Sequence, residues 1–203
     1  MEFLEGLSKV IEVLIPFAVA YLGYYQYTRN KMTDFKIEQY KQAQEAKNKR
    51  RNDNSAIVYD VLRDVLHDLN ADRVYIVQPH PLGNESMLSI YFEVKRKGIE
   101  GMRTHVQDLR ISEVTKFSSA MARNLFMYIT DIEEQVQDRY AQALLASYGT
   151  KMAIVKRLSD NTHDWVGSIF CEFTRPMSIS EEEARDILHT AATNIQYILP
   201  EYN

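Results

Sequence analysis

The chain opens with an uninterrupted uncharged stretch. Sixteen consecutive uncharged residues, mostly apolar, extend from Val13 to Thr28, between Glu12 and Arg29. As a helix they cover roughly 24 Å, which is less than the bilayer core of about 30 Å. Tyrosines crowd the far end of the stretch and basic residues follow, as at the interface of a membrane span. The pattern predicts a single transmembrane helix, and two alternatives stay open: a docking helix in a protein assembly and a buried core helix.

The predicted membrane anchor comprises residues 1–31. The excess of lysine and arginine after the span predicts that the rest of the chain lies in the cytoplasm. Residues 32–54 form a charged connector of good helix formers, so we expect the membrane helix to continue into a polar helical rod. A weak apolar stripe in this connector is compatible with a coiled coil and a homo-oligomer. The residues assigned to the anchor and its interface are Val13, Leu14, Ile15, Phe17, Leu22, Tyr24, Tyr25, Arg29 and Lys31.

From residue 55 onward the hydrophobic pattern alternates between helical and extended spacing. Helices are predicted over 55–69, 112–126, 133–147 and from 180 onward. The first is predicted to be capped by Asn54 or Ser55. The last begins with a Ser180–Glu183 capping box and is ended by Pro200. Strands are predicted over 74–78, 88–95, 127–130, 152–158 and 165–173, with turn residues from Pro79 onward ending the first. Residues 55–203 are therefore predicted to form an α+β domain, an antiparallel sheet with the terminal helices packed on one face.

Composition and charge narrow the function classes. The net charge of −4 gives no basic field over the whole chain, so we expect no nucleic-acid partner. A single cysteine, Cys171, excludes an intrachain disulfide and a cysteine-based metal cluster. The five histidines are scattered, and no phosphate-binding glycine loop or nucleophile elbow is present. We therefore predict no catalytic residue, no metal site and no enzyme activity.

Alternation along two predicted strands suggests a weak ligand site. If Leu88, Ile90 and Phe92 face the terminal helices, the intervening residues face the opposite layer. The same argument on the last strand places Ile169, Cys171 and Phe173 inward and Ser168, Phe170 and Glu172 opposite. A mixed polar and aromatic lining suits a small molecule, although a face simply covered by the middle helices explains the pattern equally well. The candidate ligand-binding residues are Ser89, Tyr91, Glu93, Ser168 and Phe170.

The second half of the chain resembles the GAF domain family. The similarity is clearest in YGTKMAIVKRLSDNTHDWVGSIFCEFTRPMSISEEEARDIL, where Gly149, Gly167, Phe173 and the Ser180-Glu181-Glu182 run match family positions. It extends over about residues 55–199 and implies a GAF-like fold. In sensor members, the sheet face under the irregular middle segment holds a small molecule. The cyclic-nucleotide signature is missing and Cys171 is a poor match to the bilin-binding cysteine, so the resemblance implies no particular cofactor.

Four functions follow from these observations. The first is a membrane-anchored, non-catalytic module that binds lipid and protein partners as an oligomeric scaffold or regulator. The second is a small-ligand sensor that signals through its N-terminal helix. The third is a holin-like or lysis-regulating membrane protein, and the fourth is a structural subunit of a large assembly, such as a viral particle, docked by that helix.

Overall fold

A computed structural model describes the backbone of residues 2–199 and the side chains of residues 14, 16, 17 and 19–199. The chain divides into two compact units, Met1–Arg51 and Asn52–Asn203. The elements, in chain order, are α1 (Glu2–Asp68), β1 (Arg73–Leu82), β2 (Glu85–Lys95), β3 (Leu109–Arg110), a 3₁₀ helix (Ile111–Val114), α2 (Thr115–Arg123), β4 (Phe126–Ile129), α3 (Ile132–Gln135), α4 (Arg139–Ser147), β5 (Met152–Ser159), β6 (Trp165–Phe173) and α5 (Glu181–Ile195).

All six strands belong to one sheet, in the order β3-β2-β1-β6-β5-β4. Every neighbouring pair is antiparallel. The two long hairpins, β1–β2 and β5–β6, meet at the centre of the sheet through β1 and β6. The second hairpin and its turn after Ser159 are as predicted, and the predicted α+β class is confirmed.

The first strand is longer than predicted. β1 continues through Pro79 and Pro81 to Leu82, and a tight turn at Gly83, with φ of +62°, leads into β2. Proline lacks the N–H that a central strand must donate, which is why Pro79 was expected to end the strand. β1, however, pairs with β6 only as far as Val77. Beyond that residue no strand within residues 2–199 pairs with this edge of β1, so the prolines remove no ladder hydrogen bond.

The terminal helices cover one face of the sheet, as predicted. The last turns of α1 contribute Val58, Leu62 and Val65, and α5 contributes Ala184 and Leu188 to the same core. Ser180 caps α5, because its hydroxyl oxygen accepts a hydrogen bond from the Glu183 N–H at 3.3 Å. The helix ends at Ile195; the predicted stop at Pro200 lies outside the described residues. The strand residues of this core are Val74, Ile76, Phe92, Ile154, Leu158, Ile169, Cys171 and Phe173.

The opposite face is covered by a middle layer, which consists of the 3₁₀ helix, α2, α3 and α4. The helix predicted over 133–147 is in fact two helices, because the backbone at Val136 is extended and Asp138 caps a new helix. The helix predicted over 112–126 is likewise shorter, a 3₁₀ turn followed by α2. Side chains that compete for backbone N–H groups favour helix starts over helix interiors. Asp138 therefore begins a second helix within a segment whose apolar spacing alone predicts one continuous helix.

The prediction of a cap at Asn54 or Ser55 is wrong. Both residues lie inside α1, and the Asn54 side-chain amide instead donates a hydrogen bond to the carbonyl oxygen of Ile198 at 3.3 Å. Good helix formers on the N-terminal side allow the helix to continue through a residue that would otherwise start one. The cap preference is a local signal that the flanking sequence overrides.

The predicted transmembrane span is also corrected. Within the part of the chain that the structure describes, no helix combines the length and apolar character that crossing a bilayer requires. The uncharged stretch is too short and is diluted by Gly23, Gln26, Thr28 and four tyrosines. The anchor residues Leu14, Phe17, Leu22, Tyr24, Tyr25, Arg29 and Lys31 are exposed side chains on α1, whereas the side chains of Val13 and Ile15 lie outside the described residues. The cytoplasmic location, which was inferred from that span, stays a prediction.

Candidate functional site

The middle layer encloses a small apolar cavity against the sheet. Its volume is about 40 Å³, enough for a water molecule by size but far below the 300–1,000 Å³ or so of typical ligand pockets. An aromatic stack forms one wall, with the rings of Tyr75 and Phe170 parallel and 5.2 Å apart. We call this the inner cavity. Its lining comprises Tyr75, Val77, Leu88, Ile90, Met102, Val106, Leu109, Val114, Phe117, Met121, Ala141, Leu144, Leu145 and Phe170.

A larger groove lies at the margin of the same layer, where the layer meets the edge strand β4. It has a volume of about 310 Å³ and runs between α2, β4 and the segment that joins α3 to α4. Phe117 lines both this groove and the inner cavity, and its ring centroid lies 5.9 Å from that of Phe170. We call this space the outer groove. It is lined by Lys116, Phe117, Ala120, Asn124, Met127, Ile129, Gln135, Val136, Gln137 and Asp138.

The side-chain acceptor atoms of Asp138 and Gln135 at the outer groove already have partners. The two carboxylate oxygens of Asp138 accept hydrogen bonds from the backbone N–H groups of Tyr140 and Ala141, and of Lys116. The side-chain oxygen of Gln135 accepts from the backbone N–H of Thr130 at 2.8 Å. The Lys116 ammonium, by contrast, makes no ion pair or hydrogen bond with any residue that the structure describes. The groups left to meet a ligand therefore include the Lys116 ammonium and the side-chain amide of Gln137, which can both donate and accept.

A buried polar network lies beside the inner cavity. Arg73 and Glu172 form an ion pair with side chains 1% and 0% exposed. The Glu172 carboxylate also accepts hydrogen bonds from the hydroxyl groups of Tyr75 and Thr150, and Arg73 donates to Thr150 and to the carbonyl oxygen of Glu100. Opposite charges satisfied in this way can stay buried, whereas either charge alone is costly. The network joins β1, β6 and two loops.

Burial perturbs the hydroxyl of Tyr75. Desolvation, and then the negative charge of Glu172, raises the pKa of Tyr75 well above its usual value. The phenol consequently stays protonated and donates its hydrogen to the carboxylate. Tyr75 also lines the inner cavity, so the network directly supports one wall of it.

The structure separates the five candidate ligand residues. Phe170 lines the inner cavity, and Ser168 lies beside it on β6, where its hydroxyl accepts a hydrogen bond from the Trp165 indole N–H at 3.0 Å. Glu93 points to the same layer, and its carboxylate accepts hydrogen bonds from the backbone N–H groups of Met102 and Arg103. It therefore holds a turn. Whether any of these residues binds a ligand stays a prediction.

The predicted orientation of half of β2 is wrong. Leu88 and Ile90 belong to the core under the middle layer, whereas Phe92 packs under the terminal helices. The cause is a β-bulge, since Ile76 pairs with Phe92 but the next residue, Val77, pairs with Ile90. One extra residue in a strand exchanges the two faces beyond it. Tyr91 accordingly packs against the terminal-helix core, and Ser89 does not line either space.

Ser89 instead belongs to a cluster that resembles a catalytic triad only in composition. The His80 Nε2 atom lies 2.9 Å from the Ser89 hydroxyl oxygen and 3.2 Å from the Asp108 carboxylate. A relay needs the two ring nitrogens to contact different partners, and here one nitrogen contacts both. Ser89 is 1% exposed and its oxygen accepts the Asp108 N–H. The cluster ties the β1–β2 hairpin to the strand beside it. The described residues hold no group of three acidic, histidine or cysteine side chains placed for a metal ion.

Sequence patterns did not predict the polar residues of the outer groove or the buried ion pair beside the inner cavity. Lys116, Gln135 and Asp138 lie in segments predicted as uninterrupted helix, and Arg73 and Glu172 are separated by 99 positions. The apolar lining was easier to recognise. Phe170 is a predicted ligand residue, and the apolar side of the predicted central helix includes four further lining residues, Val114, Phe117, Ala120 and Met121. The burial of Arg73 could not be predicted from periodicity, because its partner Glu172 comes next to it only in the folded protein.

The comparisons identify the fold. No protein-family model and no curated protein sequence matches the chain. Among solved structures, it is similar to the blue-light-absorbing form of the PixJ GAF domain of Thermosynechococcus elongatus, with a TM-score of 0.57 and 16% identity over 71% of this chain and 84% of that one. A far-red cyanobacteriochrome photoreceptor gives a TM-score of 0.58 at 13% identity, over 79% of this chain and 94% of that one.

A third similar structure is the phycocyanobilin-bound GAF domain of a cyanobacterial phytochrome. Its TM-score is 0.55 at 15% identity, over 70% of this chain and 82% of that one. Identities this low show the fold alone. The chain has a GAF-like fold, an antiparallel six-stranded sheet with helices, and the predicted resemblance is confirmed to that extent.

Proposed function

We propose that this protein is a non-catalytic regulatory module that binds a small molecule between its sheet and its middle layer. The observation that carries the proposal is the outer groove. Its volume of about 310 Å³ reaches the lower end of the range for small-molecule sites. The apolar inner cavity lies beside it, and Phe117 lines both spaces. The fold supports the same function, since one similar structure holds phycocyanobilin.

Covalent attachment through the cysteine is not part of the proposal. Cys171 lies in the core under the terminal helices, on the face of the sheet opposite to the groove. Its thiol is buried, and this burial, followed by the charge of Glu172, raises the pKa of Cys171 well above its usual value. Thiols react as thiolates, so this group is poorly suited to form a bond with a ligand.

The test compares two tryptophan substitutions on one helix in the full-length protein. Ala120 lines the outer groove, and Ala120→Trp should fill it. Arg123 is exposed on the same helix and does not line the groove, so Arg123→Trp is the matched control. We expect native mass spectrometry or a thermal-shift screen of metabolites to find a molecule bound to the wild type and to Arg123→Trp but not to Ala120→Trp. The proposal fails if nothing binds, or if Ala120→Trp binds as well as the wild type.

We also propose that copies of the chain associate through α1. The protein would then act as an oligomeric scaffold or regulator. Tyr25, Met32 and Phe35 are spaced seven and three residues apart on one side of the helix, and each is more than half exposed. Such spacing suits a helix–helix seam. Met32→Glu with Phe35→Glu should convert an oligomer into a monomer in analytical ultracentrifugation, whereas Thr33→Glu should not. A monomeric wild type would contradict this association and leave the ligand proposal standing.

A further inference from the structure

The two spaces in the middle layer differ in chemistry, and Phe117 lies between them. The inner cavity is lined by apolar side chains, apart from the hydroxyl of Tyr75, which is engaged with Glu172. The outer groove has polar side chains along its rim. A molecule that occupied both would need an apolar part next to Phe170 and a polar part next to α2. Phe117 is the one residue that the two linings share, so a rotation of its side chain would change the boundary between the spaces.

The rim favours a negatively charged group. Lys116 supplies an ammonium without an ion pair among the described residues, and the Gln135 and Gln137 amides can donate further hydrogen bonds. The single carboxylate of the rim, that of Asp138, accepts three backbone N–H groups and is buried. It therefore exerts less repulsion on an incoming anion than a free carboxylate would. One ammonium with neutral amide donors matches one negative charge.

We infer that the ligand is a small amphipathic monocarboxylate that lies in the outer groove, with its carboxylate beside Lys116 and only the end of its apolar chain directed past Phe117 into the inner cavity. This inference rests on the proposed function, because it assigns a ligand class to the same groove. A doubly charged phosphate is a poorer match, since Lys116 is the one basic side chain that lines the groove among the described residues.

The head group is tested with three probes that share one alkyl chain: octanoate, octanol and octylammonium. Isothermal titration calorimetry on the full-length protein should show octanoate binding at least tenfold more tightly than either of the others. Lys116→Met should remove most of that preference while leaving octanol binding unchanged. Lys97→Met is the control, because Lys97 is exposed and does not line the groove. Equal affinities for the three probes, or octanoate binding unaffected by Lys116→Met, would overturn the inference.

The apolar end is tested by chain length. Ala141 lines the inner cavity but not the outer groove. In the wild type, affinity should rise from hexanoate to octanoate, and Ala141→Val should abolish that rise without weakening hexanoate. Phe117→Leu should strengthen octanoate binding by easing entry to the inner cavity. Circular dichroism and thermal melting of each variant establish that it folds before its affinities are compared. Affinities independent of chain length in the wild type would show that the inner cavity is not used.

The outcomes distinguish the two levels of the proposal. If another class of molecule binds in the wild type and is lost in Ala120→Trp, while octanoate does not bind, the regulatory module stands and the carboxylate inference falls. If neither the screen nor the alkyl probes detect binding, both fall together.

Discussion

Replacing Arg73 by methionine tests whether the buried network stabilises the sheet. Arg73→Met keeps a long apolar stem and removes the guanidinium. Glu172 then stays fully buried, with hydrogen bonds from Tyr75 and Thr150 but no opposing charge. Removing one partner of a buried ion pair costs about 3–5 kcal/mol. That is a large part of the roughly 5–15 kcal/mol that stabilises a typical domain.

The assay is urea denaturation of the full-length protein followed by the fluorescence of Trp165, the only tryptophan. This residue is half-buried at the start of β6, so it reports on the sheet. Arg63→Met is the control, because Arg63 pairs with Asp60 at the surface with side chains 63% and 70% exposed. An exposed pair contributes about 0–1 kcal/mol. The control should therefore shift the denaturation midpoint only slightly.

The double variant Arg73→Met/Glu172→Gln separates charge from packing. It removes both charges, and the glutamine can still accept the Tyr75 hydrogen bond. We expect it to lose less stability than the sum of the two single variants, by about 0.5–3 kcal/mol, as contacting residues usually do. A loss below about 1 kcal/mol for Arg73→Met, or strict additivity, would refute the reasoning. The pair would then be less buried in solution than in the structure.

Three further predictions concern buried groups and close packing. Because burial raises the pKa of the Cys171 thiol, this group should resist iodoacetamide in the native protein at pH 8 and react after unfolding. Intact mass measures the labelling, and rapid labelling of the native protein would contradict the burial of the thiol. The folded pKa of Tyr75 is raised above an unfolded value of about 10, so its contribution to stability should be full below that pH and be lost as the pH rises from there through the folded pKa. Tyr75→Phe should weaken this loss in urea titrations. Gly167→Ala should lower the free energy of unfolding by about 1–3 kcal/mol, because the new alanine Cβ would lie 2.9 Å from the Val77 carbonyl oxygen. Gly23→Ala is the control, since its Cβ would meet no atom within 4 Å. Equal losses of stability in the two variants would argue against this close approach.

Periodicity predicted the elements because it reports local geometry. The spacing of Val58, Leu62 and Val65 and the alternation of Ile169, Cys171 and Phe173 each identify one buried face, and the structure confirms both. Such patterns are set by burial alone. The class of the domain and the placement of the terminal helices followed from them.

The same patterns failed where a single residue changed the geometry. The bulge near Tyr91 leaves the alternation of β2 intact in sequence but exchanges its faces, so the assignment of Leu88, Ile90 and Ser89 was reversed. Asp138 was the available signal for a new helix, since aspartate is a preferred N-cap. The partner of Arg73 could not be found locally, because Glu172 comes next to it only after β1 pairs with β6.

The opening stretch shows that counting uncharged residues overstates hydropathy. Tyrosine, glutamine, threonine and glycine carry no charge, so they do not shorten an uncharged stretch. They nevertheless lower its mean hydropathy below the value that a membrane span needs. The proposal above assigns the exposed aromatic side chains of α1 to association between helices.

The triple role of Asp138 limits how the outer groove can change shape. One carboxylate fastens the start of α4 and the first turn of α2, with N···O separations of 3.2 to 3.3 Å. This carboxylate therefore links the two helix ends. If the link holds when the groove widens, we expect α2 to be displaced most at its far end, near Asn124, where the chain enters β4. A molecule in the groove would then shift an edge strand of the sheet.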